Sequence, residues 1–135
     1  MMSSLTTTDA KYLRVAIDLS RHALDDQGKT PFGVILVFND EVVSEGTNSV
    51  IELFDPSAHA EVMALRNAAQ KLERHLLPDS VLYSSSEPCP MCLTACYWAR
   101  VSRLVFGATS YHVATYGFED LQLYRSWPPA RRSAT

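Results

Sequence analysis

Two short stretches of the sequence place potential metal ligands at predicted helix starts. Residues 55–66 read DPSAHAEVMALR, and residues 85–93 read SSEPCPMCL. The first stretch carries His59, and the second carries Cys89 and Cys92, each shortly after a proline. Zinc prefers imidazole nitrogen and thiolate sulfur, and a catalytic zinc keeps three protein ligands plus a water. The sequence therefore predicts one zinc ion per chain, bound by these three side chains.

Glu61 lies two residues after His59, a spacing that would turn the two side chains to nearly opposite sides of a continuous helix. Both reach one site only if the metal lies off the end of that helix. Cys89 and Cys92 are three apart, so they share a face on one helical turn. The positive end of a helix also favours thiolates. We therefore predict that Glu61 is not a ligand and instead moves a proton from a zinc-bound water to the substrate.

Cys96 leaves a second interpretation open. It follows Cys92 by four residues on the same helical face and could complete a closed, four-ligand zinc site. Such a site would be purely structural, as in a binding module, and would give Glu61 no role. Outside such a site, Cys96 is predicted to be a small buried hydrophobic residue.

Helical and strand patterns alternate along the chain. Helices are predicted from an N-cap at Thr8 to about residue 28, from residues 57–59 to before Pro78, and from Pro90 to Arg100. Strands are predicted at 31–38, 41–50, 80–85, 103–108 and 121–124, and the first two should form a hairpin around the turn 39–40. This alternation predicts a single α/β domain over residues 1–124 with a mixed sheet, followed by a short flexible tail at 125–135.

Composition excludes several protein classes. The chain is 47% hydrophobic and 20% charged with a net charge of -3, which is typical of a globular domain. No basic block occurs beyond Arg131 and Arg132, so no nucleic-acid partner is expected. The start of the chain lacks an apolar signal core, and no apolar run approaches the roughly twenty residues of a membrane span, so a cytoplasmic location without membrane contact is expected. Three cysteines in such a chain favour thiols or a metal over disulfides.

A wider resemblance extends these motifs. His-x-Glu followed by Pro-Cys-x-x-Cys is typical of zinc deaminases. The chain resembles the cytidine-deaminase-like superfamily, and within it the small guanine-deaminase branch. The segments that carry the resemblance are PFGVILV from Pro31, EGTNSV from Glu45, DPSAHAEVMALRNA from Asp55, EPCPMCLTACYWAR from Glu87 and GFED from Gly117. The resemblance implies a three-layer α/β/α fold with a five-stranded mixed sheet, and a homodimer.

The resemblance also implies roles for residues beyond the metal site. Asn48 would hydrogen-bond the base, although its position at a strand end also suits a turn residue. Asp120 would handle a substrate proton. Phe32, Ala60 and Trp98 would contact the substrate, with the two aromatic rings lining the pocket.

The expected reaction is hydrolytic deamination of a free nucleobase. Guanine is the first choice, giving xanthine and ammonia. Cytosine, 5-azacytosine or an amino-triazine is the alternative, because the same metal chemistry serves each of them.

Overall fold

A mixed four-stranded sheet with helices on both faces forms the part of the chain that the structure describes. This computed structural model describes residues 5–27 and 29–109. The strands lie in the order β2-β1-β3-β4, with β1 antiparallel to both neighbours and β3 parallel to β4. In chain order the elements are α1 (Thr7–Gln27), β1 (Gly33–Phe38), β2 (Glu41–Thr47), α2 (Val50–Leu53), α3 (Ala60–Leu72), β3 (Ser80–Ser86), α4 (Pro90–Ala99) and β4 (Arg103–Ala108).

The predicted α/β architecture is confirmed, with the three long helices and four of the strands close to their expected bounds. The described residues form four strands and not the five predicted. The predicted fifth strand, 121–124, and the predicted tail, 125–135, lie outside the described residues. The short helix α2 was not predicted. None of the described helices has the length and apolar character needed to cross a membrane.

Helix α1 begins at a different residue from the one predicted. Its N-cap is Thr6, and the prediction of Thr8 was wrong. The Asp9 backbone nitrogen donates to Thr6 Oγ1 at 3.0 Å, and the Thr6 backbone nitrogen donates to Asp9 Oδ2 at 3.1 Å. This reciprocal pair is a capping box, and the acidic side chain three residues after the cap determines where the helix starts.

The predicted hairpin joins β1 to β2. Asn39 and Asp40 form its turn with φ values of 51° and 58°. Positive φ at both central residues matches the two-residue turn whose twist suits a hairpin, and asparagine and aspartate tolerate that conformation. Strand β1 thereby acquires a partner on each side and is central in the sheet, as its uninterrupted apolar run predicted.

Side chains of the two central strands alternate between two separate cores. One core lies under α3 and α4 and includes Val34, Leu36 and Leu82. The other lies under α1 and includes Ile35 and Tyr83. Even-numbered residues of β3 therefore face the α3/α4 layer, and this assigns Ser84 to the layer that carries the predicted metal ligands.

Helix α3 packs on strand β2 with its backbone in direct contact at Gly46. A Cβ atom at Gly46 would overlap the carbonyl oxygen of Ala60 and lie 2.6 Å from the backbone nitrogen of Ala64. Ser44 Oγ also donates to the Ala64 carbonyl at 2.7 Å. Only glycine permits this close approach, so Gly46 sets the height of the first turn of α3 above the sheet.

The outer edge of β2 is covered by side chains of the same helix. Asn67 Nδ2 donates to the carbonyl of Glu45 at 2.9 Å, and Lys71 Nζ donates to the carbonyl of Val43 at 3.3 Å. These bonds fix the position of α3 along the strand as well as above it.

Candidate active site

Two helices present the predicted metal ligands at their N-termini. His59 is the N-cap of α3, and Cys89 is the N-cap of α4. Their backbones are nearly identical, with φ and ψ of -68° and 162° at His59 and of -67° and 168° at Cys89. The carbonyl of each cap accepts the first helical hydrogen bond, from Met63 and from Leu93, at 2.9 Å in both helices. The metal site therefore lies off the ends of the helices, as the spacing of His59 and Glu61 predicted.

The three ligand side chains converge on one point. His59 Nδ1 lies 3.6 Å from Cys89 Sγ and 3.5 Å from Cys92 Sγ, and all three ligand atoms lie within 4.8 Å of one another. Tetrahedral zinc has bonds of about 2.0–2.1 Å to nitrogen and about 2.3 Å to sulfur, which separates neighbouring ligand atoms by about 3.6 Å. The observed spacing thus fits a zinc ion with three protein ligands and a fourth position for water or substrate.

The two thiols differ in their acidity. A hydrogen bond from the Cys92 thiol, helped by His59, lowers the pKa of Cys89 to about 4. The pKa of Cys92 is raised, because its proton is shared with Cys89, because the side chain is buried, and because the carboxylate of Glu61 lies close by. Cys89 caps α4, and the positive end of that helix also favours the thiolate form that a metal ligand needs.

Cys96 lies in the core and not at the metal site. Among the described residues, the possible metal ligands that cluster are His59, Cys89 and Cys92. Cys96 is 5% exposed and belongs to the core cluster under α3 and α4. Burial, followed by the charge of Glu61, raises its pKa to about 12, as expected for an inert thiol. The described residues thus do not form the four-ligand structural site in which Cys96 would have been the fourth ligand.

Glu61 is buried beside the ligands and has a partner that the sequence patterns did not reveal. The side chain is 6% exposed in the first turn of α3, and its Oε1 accepts a hydrogen bond from Ser84 Oγ at 3.0 Å. Ser84 is fully buried on β3. A serine inside a buried strand needs a hydrogen-bond partner, and this requirement is the signal that could have identified Ser84.

The loop that carries His59 is held by a second polar contact that was not predicted. Asp55 Oδ1 accepts hydrogen bonds from the backbone nitrogen and the hydroxyl of Ser57, at 2.9 and 2.6 Å. Arg66 from α3 pairs with the same carboxylate at 3.6 Å. These bonds stabilise the turn just before the N-cap and so fix where the imidazole emerges.

Asn48 is a turn residue in the structure, and its predicted contact with the base stays a prediction. Its Oδ1 accepts a hydrogen bond from the Val50 backbone nitrogen at 3.0 Å, so it is a turn residue at the start of α2. This bond fixes the amide so that the Nδ2 donor is the end available to a ligand. The next residue, Ser49, donates its backbone nitrogen to the Ala58 carbonyl at 2.9 Å, which places this turn beside His59. Asp120 lies outside the described residues.

The other predicted substrate contacts occupy two regions. The side chains of Phe32 and Ala60 pack in or against the core cluster under α3 and α4, and Ala60 is 1% exposed, so it presents almost no surface to a substrate. Trp98 lies at the opposite end of α4 from the ligands and is 66% exposed. Its ring contacts Tyr97 edge to face and lies near the guanidinium of Arg100. Within one chain, the described residues do not bring Trp98 to the metal cluster.

Comparison with known proteins agrees with this geometry. Residues 6–108 match the model of the cytidine and deoxycytidylate deaminase zinc-binding region. The chain belongs to this family. It is a zinc-binding hydrolytic deaminase, and the family together with the cluster of His59, Cys89 and Cys92 confirms the prediction of one zinc ion.

Relatives with similar degrees of identity to this chain carry different substrates in their names. The chain is 40% identical to the guanine deaminase of Bacillus subtilis (strain 168) over 114 residues, which cover 84% of the chain and 73% of that protein. It is 41% identical to the tRNA-specific adenosine deaminase of Buchnera aphidicola subsp. Baizongia pistaciae over 109 residues, covering 81% of the chain and 67% of that protein. The X-ray structure of guanine deaminase from B. subtilis superposes with a TM-score of 0.85 at 36% identity, covering 96% of the chain and 82% of that structure.

Proposed function

We propose that this deaminase acts on a free purine base, and that guanine is its substrate. The observation that carries the proposal is the fixed amide of Asn48 beside His59. With Oδ1 bonded to Val50, the amide offers a donor, which matches the O6 or N7 acceptors of guanine. The similarity in sequence and in structure to the guanine deaminase of B. subtilis supports the same choice.

The residues around the metal would have separate roles in the reaction. A zinc ion held by the His59, Cys89 and Cys92 site supplies Lewis acidity and lowers the pKa of water. Glu61 takes the proton of the attacking water and delivers it to a ring nitrogen, while the water oxygen bonds to C2 of guanine. The second proton of the water, now on the hydroxyl at C2, is transferred to the amino group with the help of Asp120. The C2–N bond breaks, ammonia leaves and xanthine remains.

Adenosine in tRNA is the second candidate substrate. The 41% identity to the Buchnera tRNA-specific adenosine deaminase favours it. Charge argues against it, because the chain has 15 acidic and 12 basic side chains, and binding of a polyanion depends on phosphate contacts by basic residues. Cytosine, 5-azacytosine or an amino-triazine is the remaining alternative, since Glu61 and the metal site would serve each ring in the same way.

We also propose that the chain functions as a homodimer. Large apolar side chains are exposed along α4 and on α2: Leu93 at 53%, Tyr97 at 63%, Trp98 at 66%, Ile51 at 81% and Phe54 at 94%. A soluble monomer rarely leaves so many large apolar side chains exposed. A second copy would cover them, and it is the arrangement in which Trp98 could reach a substrate.

Ammonia release from the zinc-loaded protein tests the substrate. The panel is guanine, guanosine, cytosine, cytidine, 5-azacytosine, ammeline and a tRNA anticodon stem-loop containing adenosine. We expect guanine to have the highest kcat/KM and the stem-loop to give no inosine. Preference for the stem-loop would establish the second candidate, and preference for cytosine or 5-azacytosine would exclude guanine while keeping the reaction class.

The Glu61→Gln variant provides the matched control for that panel. It keeps the shape of the side chain and should keep the zinc, and its kcat should fall by roughly 10² to 10⁴. Near-normal turnover by this variant would remove Glu61 from the mechanism.

A further inference from the structure

We infer that Ser84 is a positioning residue that orients the Glu61 carboxylate for proton transfer. The inference rests on the proposed role of Glu61. Ser84 is fully buried, and its hydroxyl donates to Glu61 Oε1 at 3.0 Å across 23 residues of sequence. The bond joins the central strand β3 to the first turn of α3, where His59 also emerges.

Ser84 lies on a central strand of the sheet, with a paired strand on each side. It pairs with Val34 of β1 on one side and with Phe106 of β4 on the other. A side chain on such a strand has little freedom, so its hydroxyl provides a fixed reference point. The terminal torsion of a glutamate, in contrast, is broad and roughly two-fold. Binding one carboxylate oxygen restricts that torsion and so sets the direction in which the other oxygen points.

The hydrogen bond of Ser84 differs from that of a buried serine that donates only to a nearby backbone carbonyl. Ser80 lies on the same strand and the same face and is 1% exposed. Its hydroxyl donates to a local backbone carbonyl, that of Leu77, at 2.5 Å. Ser84 instead donates to the carboxylate of Glu61 on another element. A hydrogen bond to an ionised carboxylate is stronger than one to a neutral carbonyl. Without Ser84, Glu61 Oε1 would lose this donor, and the orientation of the carboxylate would be less restricted.

The test compares Ser84→Ala with Ser80→Ala in the zinc-loaded full chain, using the best substrate of the panel. For Ser84→Ala we expect kcat to fall by roughly 10- to 100-fold, as for loss of a hydrogen bond to a charged group. KM should stay within about three-fold, because the substrate contacts are unchanged. Zinc content by elemental analysis should remain at one per chain. Ser80→Ala should keep kcat, which separates the role of Ser84 from that of any buried serine.

A double-mutant cycle decides whether Ser84 acts through Glu61. Adding Ser84→Ala to Glu61→Gln should change kcat by no more than about two-fold, since the group that Ser84 orients is already absent as a carboxylate. An equal loss of kcat in both backgrounds, or a kcat of Ser84→Ala equal to that of Ser80→Ala, overturns the inference.

Two other results, a Ser84→Ala variant that does not fold and an unsubstituted chain without activity, can be told apart from failure of the inference itself. If Ser84→Ala does not fold, Ser84→Cys keeps the volume with a weaker donor, and its kcat should lie below that of Ser80→Ala; an equal kcat overturns the inference. If the unsubstituted chain deaminates no member of the panel, the proposed function fails, and the inference that depends on it fails as well.

Discussion

Replacing Asp9 by asparagine should destabilise the fold in a pH-dependent way. Asp9 is 1% exposed, and it accepts hydrogen bonds from the Tyr83 hydroxyl at 2.7 Å and from Arg103 Nη1 and Nη2 at 3.1 and 2.8 Å. With the capping bond from Thr6, one carboxylate joins the start of α1 to β3 and β4. Asn has nearly the same shape but lacks the charge and one acceptor, so both Arg103 bonds cannot survive together.

The size of the effect follows from burial and charge. A hydrogen bond to a charged group contributes about 1.5–3 kcal/mol, and breaking a fully buried ion pair by removing one partner costs about 3–5 kcal/mol. The Arg103 side chain is 43% exposed, so water can solvate it once it is released. We therefore expect Asp9→Asn to lower the free energy of unfolding by about 2–3 kcal/mol at pH 7.

The sign of the pH dependence is set by the pKa of Asp9. The hydrogen bonds from Arg103 hold the pKa of this carboxyl well below its usual range. A carboxyl with a depressed folded-state pKa stabilises the fold above its unfolded-state pKa of about 3.9 and loses that contribution as pH falls through the folded-state value. The stability difference between the unsubstituted chain and Asp9→Asn should therefore be full at pH 7 and should shrink below about pH 4.

Urea unfolding of both proteins at several pH values measures this difference. Acid also releases zinc, but both proteins carry the same metal site, so that contribution cancels in the comparison. Asp18→Asn is the matched control, because Asp18 lies on the same helix in an exposed pair with Arg21. A loss for Asp9→Asn equal to that of Asp18→Asn, or a difference that is unchanged down to pH 3, would refute the reasoning.

Three further outcomes are expected. Cys92→Ala should lose its zinc by elemental analysis, while Cys96→Ala, one turn along α4, should keep it; loss of zinc from both would restore a role for Cys96 as a ligand. Gly46→Ala should lower the free energy of unfolding by about 3 kcal/mol, because the added methyl overlaps the backbone of α3; thermal unfolding checks this, and an unchanged midpoint contradicts it. Trp98→Glu should convert a dimer to a monomer in light scattering if α4 forms the interface, and a dimer that survives would place the interface elsewhere.

The metal site could be predicted because it depends on sequence motifs whose residues are close together along the chain. His59 and Cys89 each follow a proline-containing turn and precede a helical pattern, so their placement at helix N-termini depends only on neighbouring residues. Once both N-termini point to one site, the count of histidine and cysteine ligands determines the metal. The hairpin was equally predictable, since Asn39 and Asp40 determine the turn and the apolar run before them determines burial.

Contacts between distant segments could not be predicted in this way. Ser84 and Glu61 meet only because even-numbered residues of β3 face α3, and that orientation depends on the pairing of the whole sheet. Both Thr6 and Thr8 could have been the N-cap of α1. The reciprocal hydrogen bonds between Thr6 and Asp9 place it at Thr6. The predicted contact of Trp98 with a substrate stays a prediction, since Trp98 lies at the end of α4 away from the ligands among the described residues.

The bonds from α3 to the outer edge of β2 limit how copies of this chain can associate. An edge strand normally offers a row of carbonyl and amide groups to which a strand of another molecule can add. Here Asn67 and Lys71 already donate to the carbonyls of Glu45 and Val43. A strand adding at this edge would have to displace both donors and move α3, which also carries Glu61. Addition of further strands at this edge is therefore disfavoured, and the helix that resists such pairing is the one whose first turn carries Glu61.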